Sequence, residues 1–444
     1  MSGAVTPAGA PAGPSKNTLL IVFMTVFLDL VGFGIIIPIQ PFYAQMFDAT
    51  PAVITLLGAI YSLMQFLFAP LWGRLSDRIG RRPVMLVSIA ASVVGFTLFG
   101  LASSLWMLFL SRGMAGFGNA NIGTAQAIIA DSTTLENRAK GMGLIGAAFG
   151  LGFICGPALG GLFSEFGPTV PAYVAAGLSG INWLLALFLL PETHPVHRHR
   201  GTPFEAEARA SARPPARARF GISMDAIRRA AKNPDVARIL FVYLLFSLSF
   251  SLMEQVMGLY VERVWVNPMG GVIATDPLAH MKEAARLTTY VLVAVGITAT
   301  VVQGVLIGRL ARAFGERRLL IAGTIFTAVG LAMVAVAGAI GFFPLMLGVA
   351  VVLATGTGLS NPSMSSLLSR AVDPMEQGTL LGLGQSLAAM GRVIGPSVAG
   401  LLFQISAPLP FVVGSVLMLG CTVVVVMVRQ KPGVSSAPVP LGGH

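Results

Sequence analysis

The stretch GRLSDRIGRR at residues 73–82 is matched in register by GRLARAFGER at residues 308–317, with glycine at the first and eighth positions of both. Each stretch lies between two long apolar segments. A second pattern also occurs twice, because the glycines and the Gly-Pro pair within residues 152–161 recur at the same spacing within residues 391–400. The chain is therefore predicted to consist of two related halves.

The composition indicates that a membrane surrounds the chain. Hydrophobic residues make up 55% of its 444 residues and charged residues only 11%, more apolar surface than a soluble domain of this size buries. The apolar residues come in runs of about twenty, the number that a helix needs to cross hydrocarbon. An all-α membrane protein with twelve crossings is predicted, and an even number places both termini on one side. The predicted segments, numbered 1 to 12, are 17–43, 52–72, 83–102, 105–130, 138–163, 168–190, 236–261, 285–308, 318–338, 343–369, 375–403 and 408–429.

The net charge of +11 would suit a nucleic-acid-binding protein, but the basic residues are distributed by topology. The loops after the odd-numbered segments, taken with the first residues of segment 8, contain only Arg263, Lys282 and Arg286. The other basic residues concentrate in the tails and in the loops after the even-numbered segments. By the positive-inside rule, those loops and both termini are predicted to be cytoplasmic. The predicted partner of these basic residues is therefore the lipid bilayer, and not nucleic acid.

The apolar pattern stops between segments 6 and 7, where Arg, Ala, Pro and His dominate. Such a composition is typical of a solvated linker, and its mixed end over 220–238 favours a short helix on the lipid surface. His194, His197 and His199 lie there without an acidic or Cys partner at ligand spacing, so no metal site is predicted. The predicted organisation is a disordered cytoplasmic tail over 1–16, a six-helix bundle over 17–191, the linker over 192–235, a second six-helix bundle over 236–429 and a cytoplasmic tail over 430–444.

Away from their ends, the predicted segments contain four charged residues: Asp29, Arg112, Glu254 and Arg392. An ionised side chain at the bilayer centre costs at least about 2.5 kcal/mol, so such residues face a cavity or a partner rather than lipid. A dry site favours the neutral form of an acid and a nearby arginine favours the charged form, which would let Asp29 and Glu254 carry a coupling proton. Two alternatives stay open: the acids bind a cationic group of a substrate, or Asp29–Arg112 and Glu254–Arg392 are fixed structural pairs.

Arg112 belongs to a polar stripe in segment 4. Gly116, Asn119, Gly123 and Gln126 follow it at steps of three and four residues, which align on one face of a helix. This face is predicted to line a central cavity. The other polar residues predicted to line the cavity are Gln40, Gln65, Gln303, Asn361 and Gln385.

These motifs resemble the major facilitator superfamily. Besides residues 73–82, LSRGMAGFG at 110–118 is similar to the family's arginine motif, and DLVGFG at 29–34 resembles the twelve-span drug:proton antiporters. The glycines and the Gly-Pro pair of residues 146–161 resemble the antiporter motif, and GERR at 315–318 resembles the tetracycline-resistance type. Tetracycline exporters of that type carry acids in segments 3 and 9 and a histidine in segment 8. The predicted segments here contain none of these, so the resemblance does not specify tetracycline.

The resemblance implies two further groups of residues. The family's acid at the position of Asp77 is thought to dock on the other half, and Asp131 resembles its partner, which together would latch the outward-open state. The alternative is that the arginines of this loop only set the topology. Glycines at four-residue intervals let membrane helices approach closely. The predicted cytoplasmic gate is Gly73, Asp77, Arg78, Gly80, Arg81 and Asp131, and the predicted helix-packing motif is Gly152, Gly156, Pro157 and Gly160.

The resemblance and the charges together predict a monomeric, proton-coupled exporter of lipophilic or amphiphilic small molecules in a bacterial inner membrane. No P-loop, catalytic motif or cofactor motif occurs, so neither an enzyme nor an ATP-driven pump is predicted. Two alternatives stay open. One is export or flipping of an endogenous lipid, siderophore or metabolite, in which Arg112 and Arg392 bind an anionic head group. The other is a membrane-embedded sensor.

Overall fold

A computed structural model describes residues 16–133, 138–193, 233–267, 277–372 and 377–428. The described chain is helical and contains no strand. Eleven of its helices are long and apolar enough to cross a membrane. Predicted segment 4 is the exception, because a 3-10 turn divides it into helices of 14 and 10 residues. The predicted all-α membrane architecture is confirmed.

The helices are numbered here by the crossing to which they belong, with α1–α6 forming the first half and α7–α12 the second. The bounds are α1 Lys16–Ile36, α2 Pro51–Ile79, α3 Arg81–Gly100, α4 Leu105–Gly118 continued by Ile122–Asp131, α5 Arg138–Ser164, α6 Val170–Leu189, α7 Pro234–Glu254, α8 Pro277–Val301 continued by Ile307–Phe314, α9 Glu316–Ile340, α10 Phe343–Arg370, α11 Gln377–Ile405 and α12 Leu409–Val426.

The first predicted segment, 17–43, is not one helix. α1 ends at Ile36, a turn follows, and a short helix covers Gln40–Gln45. Pro38 lies in the turn, and Pro41 is the second residue of the short helix. Proline has no N–H to donate and its ring clashes with the preceding turn, so a continuous helix ends here.

The repeated stretch 73–82 is mostly helix and not loop. α2 continues to Ile79 and α3 begins at Arg81, so Gly80 alone separates them, with a φ of 107°. Gly315 separates α8 from α9 in the same way, with a φ of 77°. Residues with a Cβ are strained at such positive φ values, which explains glycine at the eighth position of both stretches.

Two other helices are interrupted close to predicted intramembrane charges. In α4 the interruption is the 3-10 turn Asn119–Asn121. α7 ends at Glu254, and beyond it lie a short helix, Met257–Val261, and a π-helical turn, Glu262–Val266. At membrane depth, irregular backbone is tolerated where it is buried in protein or lines a cavity. These breaks therefore indicate where a cavity lies.

The two halves pack together toward one end of the bundle. We call the end with the α1–α2 connection the α1–α2 end and the opposite one the α2–α3 end. Near the α1–α2 end, one apolar cluster contains residues of both halves, among them Ile35 and Leu252. Toward the α2–α3 end each half has a separate cluster, with Ile128 in the first and Leu367 in the second. The bundle is thus closed at the α1–α2 end.

In the described part of the chain, two pairs of long helices make most of the contacts between the halves, α2 with α11 and α5 with α8. Along α5 and α8 the contacts form a ladder. A Cβ at Gly161 would meet the side chain of Thr289, and one at Gly150, three turns further along α5, would lie 2.9 Å from Thr300 Oγ1. Because the two helices run antiparallel, lower residue numbers in α5 pair with higher residue numbers in α8.

The ladder stops about halfway along the two helices. The next contact toward the α2–α3 end would pair Gly146 of α5 with Gly304 of α8, but a Cβ at either glycine meets no atom of the described residues within 4 Å. Gly73 of α2 and Gly382 of α11 are equally open. The four helices that join the halves therefore diverge, and the bundle is open at the α2–α3 end.

The predicted tails, apart from Lys16, and the central part of the linker lie outside the described residues. The cluster of His194, His197 and His199 lies there as well. The boundaries assigned to the two bundles, 17–191 and 236–429, therefore remain predictions.

Candidate functional site

A cavity lies between the halves, next to the helix breaks. The first half contributes the end of α1 and the middle of α4, and the second half contributes the break after α7 and part of α8. A few polar groups among apolar side chains are typical of small-molecule sites. The residues that line this central cavity are Phe33, Ile37, Gln40, Pro41, Arg112, Glu254, Gln255, Met257, Gly258, Thr288 and Leu292.

Arg112 is the most buried charge of the central cavity, with 4% of its surface exposed. Its guanidinium carbon lies 4.6 Å from the centre of the Tyr61 ring and 5.8 Å from that of Phe33, which are cation–π distances. The two rings stack on each other at 4.9 Å. Among the described residues, Arg112 Nε and Nη1 have no hydrogen-bond partner.

Glu254 is the last residue of α7 and lines the central cavity from the side of the second half. Arg392 is the positive charge that acts most strongly on its carboxylate, and Arg112 is the next. In the described part of the chain, neither arginine forms an ion pair with Glu254 within 4.0 Å. Glu254 and Arg392 are therefore neighbours, but not the tight fixed pair that the sequence left open.

Asp29 does not form the pair with Arg112 that the sequence suggested. Only 4% of its surface is exposed, and its two carboxylate oxygens accept hydrogen bonds from Nδ2 of Asn121 at 3.0 Å and of Asn182 at 2.9 Å. Asn121 also donates to Ser88 Oγ at 3.0 Å. The 3-10 turn in α4 brings Asn121 to α1, so two neutral amides take the place of the expected arginine. Asp29 is enclosed by the first half and does not line the central cavity.

The other predicted lining residues divide into three groups. Gln40 lies in the central cavity. Gln65 donates from Nε2 to the carbonyl oxygen of Asn119 at 3.2 Å, and buried Asn119 itself leaves Nδ2 without a partner among the described residues. The exposed group, on helices that run toward the open α2–α3 end, is Gln126, Gln303, Asn361 and Gln385.

A charge network at the α2–α3 end joins α2, α3, α4 and the residues after α6, all in the first half. Arg81 donates from Nε to Asp131 Oδ2 at 3.1 Å and from Nη1 to Asp77 Oδ1 at 2.5 Å. Its backbone N–H donates to Glu192 Oε1 at 2.9 Å. Asp77 and Arg78 are exposed toward the opening. In this open state, the predicted gate residues are linked within their own half.

The second half repeats this network with the charges inverted. Glu316 stands at the repeat position of Arg81, and its carboxylate pairs with Arg370 at 2.7 Å. Arg370 ends α10 as Asp131 ends α4. Arg312 occupies the position of the first half's exposed acid. At these three repeat positions the first half carries two acids and one base and the second half two bases and one acid, so the positions are complementary in charge.

The predicted packing motif lies against α1. Gly152, Gly156 and Gly160 are four residues apart on α5, and a Cβ at each would meet atoms of α1 or of the turn that follows it. A Cβ at Gly156 would lie 2.6 Å from the Cα of Gly34. Pro157 lies within α5 without interrupting it. This motif therefore packs two helices of the first half.

Sequence reasoning missed the amides that bind Asp29. Asn121 and Asn182 are polar residues within apolar segments, and that cost in a membrane is the signal that could have identified them. It also missed Gln255, whose side chain is so close to Gly58 of α2 that a Cβ there would overlap it. No sequence pattern pairs these two residues, because they belong to different halves.

A polar contact between the halves at the α1–α2 end was also missed. Gln45 Nε2 donates to Glu262 Oε2 at 2.8 Å, and His280 Nε2 lies 3.0 Å from Glu262 Oε1. α8 begins at Pro277 and not at the predicted residue 285, so it includes a histidine that the predicted segment lacked. The hydrophobic run alone marked the start of the helix too late, because its first turns are polar.

A family model described as Major Facilitator Superfamily matches residues 22–275 and 269–443. The chain is 32% identical over 416 residues to the tetracycline resistance protein, class C, of Escherichia coli, covering 92% of this chain and 96% of that protein. It is 26% identical over 423 residues to multidrug resistance protein 2 of Bacillus subtilis (strain 168), covering 94% and 96%.

Solved structures share the fold at lower identity. The nucleoside transporter NupG superposes with a TM-score of 0.71 at 14% identity, covering 94% of this chain and all of that one. The human organic anion transporter MFSD10 superposes with a TM-score of 0.64 at 23% identity, covering 93% and 100%. These similarities support the two-half transporter fold.

Proposed function

Because the chain belongs to the major facilitator superfamily, we propose that it exports lipophilic or amphiphilic small molecules, drugs among them, in exchange for protons. One observation carries the proposal: a glutamate of the second half and an arginine of the first, Glu254 and Arg112, line one cavity between the halves. The relatives named for tetracycline and multidrug resistance support drugs as a substrate class. We infer transport without catalysis.

The chain is a multi-pass membrane protein, and we place it in a bacterial inner membrane as a monomer with both termini in the cytoplasm. The positive-inside rule then makes the α2–α3 end cytoplasmic. With that orientation the central cavity opens to the cytoplasm, as the loading state of an exporter requires. The cycle is completed by rocking the halves so that the α2–α3 end closes and the α1–α2 end opens.

Protonation supplies the switch in this proposal. An ionised Glu254 is attracted to Arg392 and Arg112, whereas a protonated Glu254 is not, so the proton changes the forces across the interface. Gln255, the next residue, packs on Gly58 of the opposite half. A change at Glu254 is therefore transmitted directly to the contact that holds the α1–α2 end closed.

The experiment is uptake of radiolabelled tetracycline, and of a panel of lipophilic drugs, into inverted membrane vesicles that contain the protein. An inward-acid pH gradient should drive accumulation of at least one compound, and nigericin should abolish it. Accumulation that persists after the gradient is collapsed, or that requires ATP, would contradict proton-coupled export.

The open ladder between α5 and α8 predicts where the halves meet when the α2–α3 end closes. In a background with Cys155→Ala and Cys421→Ala, we expect Gly146→Cys with Gly304→Cys to be bridged by a short bis-maleimide only in the closed state. Cross-linking should rise when the transported drug and a pH gradient are supplied. A pair that is in contact in this structure, Gly161→Cys with Thr289→Cys, should respond in the opposite direction, because the α1–α2 end opens when the α2–α3 end closes. Identical yields under all conditions would argue against alternating access.

The charge-inverted surfaces predict the effect of Asp77→Asn. Neutralising one acid weakens the attraction between the halves at the α2–α3 end, so the fraction of closed protein should fall. We expect about a threefold lower yield of the Gly146–Gly304 cross-link, since a partly exposed charge pair contributes about 0.2–1 kcal/mol. Glu283→Gln is the control, because Glu283 is a half-exposed acid of α8 at the α1–α2 end that pairs with Arg286 of its own helix. An unchanged yield in Asp77→Asn would contradict the latch.

A further inference from the structure

Some hydrogen-bond donors of the Arg112 guanidinium are unpaired among the described residues. Arginine offers five N–H groups, and Nε and Nη1 of Arg112 have no partner among the described residues although the side chain is 4% exposed. The faces of the Phe33 and Tyr61 rings attract its positive charge but accept no in-plane hydrogen bond. Buried donors without a partner are costly, so a site that keeps them expects an acceptor from outside the chain.

Arg112 has no close acidic partner. Among the described residues, no carboxylate forms an ion pair with it within 4.0 Å. Glu254, the other charged residue of the cavity lining, is influenced more strongly by Arg392 than by Arg112. Asp29 lies outside the lining, as Arg392 does, and two amides occupy its oxygens. The guanidinium of Arg112 is therefore without a direct counter-charge. A buried charge is tolerated when it is paired, so the missing member of the site is an anion.

The surroundings of Arg112 specify more than charge. Phe33, Ile37, Met257 and Leu292 form an apolar wall of the cavity that Arg112 lines, and Gln40 and Thr288 add uncharged polar groups. Arginine binds planar oxyanions through two parallel N–H donors, which suits a group with two oxygens. The apolar wall suits a hydrocarbon or aromatic body attached to that group.

We propose that the central cavity selects amphiphiles that carry an oxyanion, such as a carboxylate or sulfonate, and that Arg112 binds this group. The inference rests on the proposed function, since the bound molecule is the exported one, but it excludes the cationic substrates that the two acids alone would suggest. A cation placed beside Glu254 would meet two arginines, whereas an anion placed beside Arg112 leaves Glu254 balanced by Arg392.

The test measures binding without transport. Purified protein in phosphatidylcholine nanodiscs is titrated with 2-naphthalenesulfonate and with 2-naphthyltrimethylammonium, two probes with one ring system and permanent opposite charges. Empty nanodiscs give the background from lipid partitioning. We expect the sulfonate to bind at least about tenfold more tightly than the ammonium probe, because the unpaired charge of Arg112 favours one and repels the other. Arg112→Gln should weaken sulfonate binding by about tenfold or more, and Arg112→Lys should weaken it less.

Arg238→Gln is the control, because Arg238 is paired with Asp235 at a helix start outside the cavity. If Arg112→Gln does not yield folded protein, the ratio of the dissociation constants of the two probes for the unaltered chain still tests the proposal. Equal or tighter binding of the ammonium probe, no binding of either probe, or full sulfonate binding by folded Arg112→Gln overturns the proposal. A second arm with phosphatidylglycerol in the nanodisc identifies the source of the oxyanion: competition indicates a lipid head group, and its absence indicates a soluble amphiphile.

Failure of the oxyanion site can be distinguished from failure of proton-coupled export. Proton-driven export of cations together with tight ammonium binding would leave the transporter intact and remove the oxyanion site. Sulfonate binding that depends on Arg112, without any flux driven by a pH gradient, would keep the site and remove proton-coupled export.

Discussion

Glu254→Gln is expected to abolish accumulation driven by a pH gradient while leaving downhill exchange. Glutamine keeps the size and polarity of the side chain at the end of α7, but it cannot take up or release a proton. We expect gradient-driven accumulation in proteoliposomes to fall about tenfold or more, and exchange of labelled for unlabelled substrate to change less than about threefold. A tenfold change corresponds to about 1.4 kcal/mol in the transport barrier. Parallel assays of accumulation and exchange measure the two rates.

Glu165→Gln is the matched control, an exposed acid beyond the end of α5 that touches no part of the cavity. It should leave both rates unchanged. Asp29→Asn should also lose accumulation, but it places an amide donor against the amides of Asn121 and Asn182 and so also lowers stability. Glu254→Gln is therefore the cleaner variant. Full accumulation by both Glu254→Gln and Asp29→Asn would show that neither acid carries the coupling proton.

Gly156→Leu is expected to prevent the first half from assembling. A Cβ at Gly156 would lie 2.6 Å from Gly34 Cα and 2.9 Å from the carbonyl oxygen of Val31, and both are backbone atoms that cannot move aside. Forcing atoms into a packed interface costs about 1–3 kcal/mol or more, a large part of the stability of most proteins. We expect little monodisperse protein, and thermal unfolding of any remainder at a clearly lower temperature.

The control is Gly143→Leu on the same helix, where a Cβ meets no atom of the described part of the chain within 4 Å. Leucine also has the higher helix propensity, so this variant should purify and unfold like the unaltered protein. If Gly156→Leu were as stable as Gly143→Leu, the close crossing of α1 and α5 would not be required for the fold.

The fold was largely predictable from the sequence because each of its determinants is local. Runs of about twenty apolar residues specify crossings, and the repeat at 73–82 and 308–317 specifies the two halves. The errors occurred where local hydrophobicity does not decide the helix. Pro38 ends α1 inside an apolar run, while α8 begins with polar residues before its apolar run starts. In both places backbone chemistry and tertiary contacts decide the boundary.

The site was predictable only in part, because its geometry joins residues that are distant in the chain. The cost of burying charge identified Asp29, Arg112, Glu254 and Arg392, but not which of them meet. Asp29 is bound by amides of α4 and α6 rather than by Arg112, since the 3-10 turn reorients α4 at that depth. The opposite charges at matching positions of the two repeats were visible in the sequence. That Glu316 pairs with Arg370, as Arg81 pairs with Asp131, required the structure.

The central claim is that substrate and proton move in opposite directions through one cavity. The most direct measurement is luminal pH in proteoliposomes that contain pyranine, after addition outside of the compound that most stabilises the purified protein in a thermal-shift screen. Entry of the compound should expel protons, so luminal pH should rise, and Glu254→Gln should remove the rise. Entry of the compound with no pH change, or with acidification, would contradict the account.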